Sequence, residues 1–160
     1  MKKLTTLALL ASMSLTALSA TIGYVNTQEV FRNYSQTKVI QTNLDKERTR
    51  LEGEVKSKEL TLQKTQVELQ SKGAKVTPEE KAKFQKDIEG FQKFVKDSQI
   101  KLNKEERARL QEIEAAINSA VQKVAKDGKY EYILEGGAVK FGGENVTTKV
   151  LEVMEKSVKK

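Results

Sequence analysis

The 160-residue chain has no cysteine, no histidine, no tryptophan and a single proline. Lacking Cys and His, it offers no thiol nucleophile, no Ser-His-Asp triad, no disulfide, no lipid-anchoring thiol and almost no means of holding zinc. The paired carboxylates Glu79-Glu80 and Glu105-Glu106 are sequence neighbours, which do not face each other on a helix, so they make poor acid–base partners. The glycine pairs Gly136-Gly137 and Gly142-Gly143 lack the GxxxxGK[ST] order of a phosphate loop and read as turns. No catalytic residue, cofactor or metal is expected.

Long apolar runs are also scarce. The one present, residues 4–18, follows Lys2 and Lys3 and precedes the small residues Ser19 and Ala20. That is the layout of a cleavable signal peptide over residues 1–20, too short for the roughly 20 residues of a membrane-spanning helix. Cleavage fits after Ser19 or Ala20. An exported, soluble protein is the expectation.

The lone proline marks an elbow. In Thr77-Pro78-Glu79-Glu80, threonine suits an N-cap, proline the first helical position and Glu80 a capping box, so one helix ends near Lys72-Gly73 and another begins at Pro78. Between Thr27 and Asp127 the pattern is that of a helical hairpin with arms of about 70 Å at 1.5 Å per residue. Its seam is thin. Of the twelve positions from Val30 to Leu69 at alternating spacings of four and three, seven are apolar, with gaps that include Gln41, Arg48 and Lys58. The return helix offers Phe84, Ile88, Phe91, Val95 and Leu102, interrupted by Ser98. After Leu110 the stripe thickens through Ile113, Ala116, Ile117, Ala120, Val121 and Val124, a face needing more than one neighbour to cover it.

The two ends of the exported chain supply that cover. Residues 22–26, 130–134 and 138–141 read as short strands, Gly128 as a helix stop, Thr147 as a cap and residues 148–158 as a last helix. The fold class is α+β: residues 21–43 with 111–160 form a small β-containing body and arm root, and residues 44–110 the hairpin arm with its tip near 73–78. A body this small commonly needs oligomerisation. Its interface is expected at Ile22, Tyr24, Val25, Tyr132, Ile133, Leu134 and Phe141.

The net charge is +7. Residues 44–110 hold 17 Lys and Arg against 13 Asp and Glu, whereas residues 111–160 balance at eight each. A basic stripe attracts nucleic acid, anionic lipid or acidic polypeptide. Export disfavours nucleic acid, leaving acidic chains and a peripheral contact with anionic membrane lipid. An exported coiled-coil tether or adaptor of the cell envelope is the alternative, but it calls for a more continuously apolar seam.

Ile22-Gly23-Tyr24-Val25-Asn26, then Val30-Phe31, a long charged hairpin, Tyr130-Glu131-Tyr132-Ile133-Leu134, a glycine turn and Val146-Thr147-Thr148-Lys149-Val150-Leu151 together resemble the OmpH/Skp family of periplasmic chaperones. The resemblance implies a homotrimer whose β body carries three hairpin arms around a cavity that holds unfolded outer-membrane proteins without ATP. On that basis Lys72, Lys75, Lys81 and Lys83 are expected to attract clients and Phe94 to contact them, with Phe84 and Phe91 on the interhelix seam. Asn145 and Thr148 stand where the family commonly has acidic residues.

Overall fold

The computed structural model describes residues 21–158, so the leader segment at 1–20 lies outside it. The order is β1 (Ile22–Val25), α1 (Thr27–Asn33), α2 (Ser35–Lys72), α3 (Pro78–Gly128), β2 (Tyr132–Glu135), β3 (Glu144–Asn145) and α4 (Thr147–Val158), with single 3-10 turns at Gly73–Lys75 and Gly136–Ala138. This is an α+β protein, mostly helical, with a long hairpin and a small sheet joining its two ends.

The elbow forms as its residues dictate. Thr77 Oγ1 accepts from the Glu80 amide at 3.2 Å while the Glu80 carboxylate accepts from the Thr77 amide at 3.0 Å, a reciprocal capping box with Pro78 in the first turn. At 1.5 Å per residue, the 51 residues of α3 span about 77 Å and the 38 of α2 about 57 Å.

The ascending arm is shorter than the sequence suggests because the helix expected from Thr27 onward breaks at Tyr34. That residue adopts an extended conformation (φ −67°, ψ 124°). Its side chain is drawn into the core, and the helix restarts with the Thr37 amide donating to the Tyr34 carbonyl at 3.0 Å.

All three strands are parallel, in the order β2-β1-β3. Ile22 pairs with Tyr132, Tyr24 with Leu134 and, on the other side, Tyr24 with Asn145. Because β2 and β3 lie on opposite edges of β1, residues 136–143 must return from one end of β1 to the other. They cannot themselves join the sheet. The strand expected at 138–141 is therefore replaced by a crossing, and the third strand falls at Glu144–Asn145. Gly142 and Gly143 turn the crossing back with φ of +80° and +83°.

Gly128 ends α3 as expected, and the left-handed residue that follows it is Lys129. Glycine is required at 128 by packing: a Cβ there would lie 2.3 Å from the ring of Tyr130, which folds back against the helix end. Thr147 does not cap α4 with its hydroxyl. Its Oγ1 accepts from the Asn26 amide at 3.0 Å, while the Asn145 side chain takes the Thr147 amide at 2.9 Å.

The core gathers Ile113, Ile117, Ala120 and Val124 of α3 against Val146, Val150 and Met154, with Val25, Val30 and Tyr34 closing it. The thick stripe read from the sequence is thus covered by α4, α1 and β1. Leu110 is the exception, remaining exposed above the root.

Candidate functional site

Strand alternation divides the predicted interface residues between two faces of the sheet. Val25 is buried in the protomer's own core, and Ile133 packs against that core on the same face. Ile22, Tyr24, Tyr132 and Leu134 share the opposite face, where Tyr132 is 60 % exposed. Tyr24 is half-buried because its ring runs beside Gly136 and Gly143, where a Cβ would stand 3.5 Å from it. Phe141 sits on the crossing segment and is 99 % exposed. Five of the seven residues therefore form or border an uncovered apolar surface, and two serve the core beneath it.

The sheet is tied to α4 by a polar cluster absent from the sequence reading. Tyr130 donates to Glu144 at 2.6 Å, and Lys149 donates to Glu144 at 2.6 Å and to the Tyr130 hydroxyl at 3.1 Å. The Lys149 ammonium, followed by the Tyr130 hydroxyl, holds the Glu144 carboxyl below its ordinary range.

Along the arms, polar pins stand in for missing apolar seam. Lys101 reaches across the hairpin to Glu47 at 2.7 Å, and Arg50 joins the same carboxylate from its own helix at 2.7 Å. The Arg50 hydrogen bonds, with that of Lys101 next, bring Glu47 down to about 2. The Lys58 ammonium stands 4.9 Å from the centroid of the Phe94 ring, a cross-hairpin cation–π contact. At the tip Lys72 bonds Glu80, so the capping-box carboxylate also clasps the end of α2.

These contacts sort the predicted arm residues. Lys72 is engaged with Glu80, and Phe94 is half-buried beneath Lys58. Lys75, Lys81 and Lys83 are exposed at the tip, each without an ion-pair partner among the described residues. Phe84 and Phe91 are half-buried, as seam positions should be. Between the hairpin helices lies an open groove of about 780 Å³, floored by Leu51 and Ser98. The a/d reading of the seam missed it, although the groove's rim follows the neighbouring heptad positions.

No described helix is long and apolar enough to cross a membrane, and no described carboxylate cluster could hold a metal. Residues 21–154 match the family model for outer membrane protein (OmpH-like). The chain belongs to the OmpH-like family. Its fold is similar to that of a Caulobacter crescentus CB15 protein assigned as an outer membrane chaperone (OmpH-like). The TM-score is 0.76, with 15 % identity over 88 % of this chain and 87 % of the other. No curated protein gives a significant match. In this OmpH-like chain, the β body and the arm are the two surfaces from which a function must be built.

Proposed function

We propose that this protein is an ATP-independent holdase of the periplasm. It binds unfolded outer-membrane β-barrel proteins between its arms and keeps them from aggregating before membrane insertion. The observation carrying this reading is the coupling, in one OmpH-like chain, of an uncovered apolar sheet face to a long, solvent-exposed hairpin with a sparse apolar seam. The sheet face made by Ile22, Tyr24, Tyr132 and Leu134, with Phe141 beside it, joins three copies into a trimer. The arms then enclose a client. Export follows from a leader at residues 1–20.

Holding without a nucleotide cycle works by mass action: a protein that binds non-native chains lowers their free concentration and so slows aggregation. Lys75, Lys81 and Lys83 add long-range attraction for anionic clients or lipid headgroups, while exposed Val39, Leu60, Val67 and Ile100 offer weak apolar contacts along the arms. No reaction is catalysed and no cofactor is needed.

The test separates arm from body. Deleting residues 55–102 and closing the hairpin with a short turn retains Ile113, Ile117, Ala120 and Val124 and the three strands. Sedimentation should still give an oligomer, and light scattering should show that protection of an unfolded outer-membrane protein is lost. A truncated oligomer that protects as well as the full chain would defeat the enclosing-arm mechanism.

A further inference from the structure

The groove between the arm helices carries a charge opposite to that of the arm around it. Asp45, Glu52 and Glu59 recur every seven residues along one flank of α2, and Glu106 faces them from α3. Arg48 and Lys56 are the basic residues of the same lining, so four carboxylates stand against two cations. Arg48 is already committed to Asp45 at 3.2 Å. Glu52, Glu59 and Glu106 have no ion-pair partner among the described residues, although the segment 44–110 is net basic.

The floor between these carboxylates is apolar, formed by Leu44, Leu51, Val55, Val95 and Leu102. Ser98 interrupts it at a seam position that a larger aliphatic residue would fill. The residue is only 9 % exposed, and its hydroxyl has no hydrogen-bond partner among the described residues. The oxygen itself is not fully buried, so it opens onto the groove and can bond a polar atom laid on the floor.

We propose that this groove is a docking site for an extended, non-native polypeptide segment in which Lys or Arg side chains alternate with apolar ones. Its apolar side chains lie on the Leu51–Val95 floor, its cations meet Glu52, Glu59 and Glu106, and its backbone offers a partner to the Ser98 hydroxyl. An acidic segment is repelled from the same groove, so the upper arm selects for basic stretches while the lysines of the tip select for acidic ones. The inference rests on the holdase reading and specifies which client sequences the arm takes.

The probes are two fluorescein-labelled peptides with one alternating apolar pattern, carrying Lys or Glu at the polar positions. Each is titrated by fluorescence anisotropy into the full chain lacking its leader, at about 0.05 M salt where charges are little screened. Replacing Glu52, Glu59 and Glu106 together by Gln, which has similar helix propensity, should weaken the Lys peptide about tenfold, as three exposed ion pairs would. The Glu peptide, held at the tip, should not weaken. Ser98→Leu should close the floor, raising the thermal midpoint while lowering affinity for the Lys peptide. An affinity for the Lys peptide unchanged within twofold in the triple variant, or unchanged in Ser98→Leu, overturns the proposal.

Aggregation protection measured on the same samples keeps the two readings apart. Protection by the parent chain without an effect of the triple variant removes the groove and leaves the holdase. A charge-dependent Lys-peptide site in a chain that protects no client keeps the groove and removes the holdase. Failure of both measurements removes both.

Discussion

Glu155 and Ser35, 120 positions apart, are joined by two hydrogen bonds: the Ser35 amide and hydroxyl each donate to the Glu155 carboxylate at 2.7 Å. The contact falls where the ascending helix restarts. Tyr34, the residue in the N-cap position, makes no side-chain cap there because its ring is buried in the core, so a carboxylate from α4 takes the role. Burial of that ring, with Glu155 nearby, pushes the Tyr34 hydroxyl's pKa up. Negative charge at a helix N-terminus is favourable, and this one also fastens the arm to the body. Ser35→Ala removes one of the two bonds and should cost about 1 kcal/mol, read from denaturant midpoints at unchanged m. A variant as stable as the parent would show that the amide contact alone suffices.

Acid should loosen the upper hairpin in a defined range. Glu47, lowered to about 2 by Arg50 and Lys101, binds fewer protons in the folded chain than in the unfolded one. Its stabilising contribution is therefore complete above the ordinary carboxylate range near 4.5 and is lost as pH falls toward 2. The difference in thermal midpoint between the parent chain and Glu47→Gln should be constant above pH 5 and shrink between about pH 4.5 and 2 at low ionic strength. Added salt should reduce it at every pH, because the pair is solvent-exposed. A gap that widens on acidification would contradict the assignment.

The two faces of the sheet should respond differently to charge. Leu134→Asp places a carboxylate on the uncovered face and should dissociate the proposed trimer while leaving the protomer's circular dichroism intact. Val25→Asp buries a carboxylate in the protomer's own core and should unfold the body, at a cost of several kcal/mol. Sedimentation and far-ultraviolet spectra on both variants decide the matter. A Leu134→Asp protein of unchanged mass would move the interface elsewhere.

Gly128→Ala tests the packing at the end of α3. The added methyl would meet the Tyr130 ring at 2.3 Å, so the ring must leave, taking its hydroxyl from Glu144 and Lys149. A loss of about 1–3 kcal/mol is expected, in the range of overpacking substitutions. Tyr130→Ala in the same chain should make the glycine replacement nearly neutral. A full penalty persisting in the double variant would trace the cost to backbone conformation instead.

The hairpin was legible because its signals are local: the capping box at Thr77, the proline at 78 and the heptad seam all act within a few residues. The break at Tyr34 carries no such mark. Neither glycine nor proline is present in Asn33-Tyr34-Ser35, and the chain departs from helix only because the core takes the tyrosine ring. The misplaced third strand has a similar origin. Residues 138–141 have strand-like composition, but the order β2-β1-β3 requires them to cross the sheet, and Phe141 ends outside it. At the arms, reading the inward positions alone found Ser98 as a flaw in the seam. Its neighbours Glu52, Glu59 and Glu106 acquire meaning only when the two helices are set side by side.

The central strand of the sheet comes from the start of the described chain and both of its neighbours from the end, more than 100 positions later. This separates the folding of the arm from that of the body in time. The hairpin needs only contacts across one elbow and can zip within itself, whereas Ile22–Val25 finds no strand partner in the sheet until Tyr132–Glu135 and Glu144–Asn145 exist. In a chain delivered from its N-terminus, arms form first and the surface that would join copies together forms last. Tyr132 and Leu134 come beside Ile22 and Tyr24 only once β2 has been delivered, so a copy cut short before β2 would lack the face proposed to join copies.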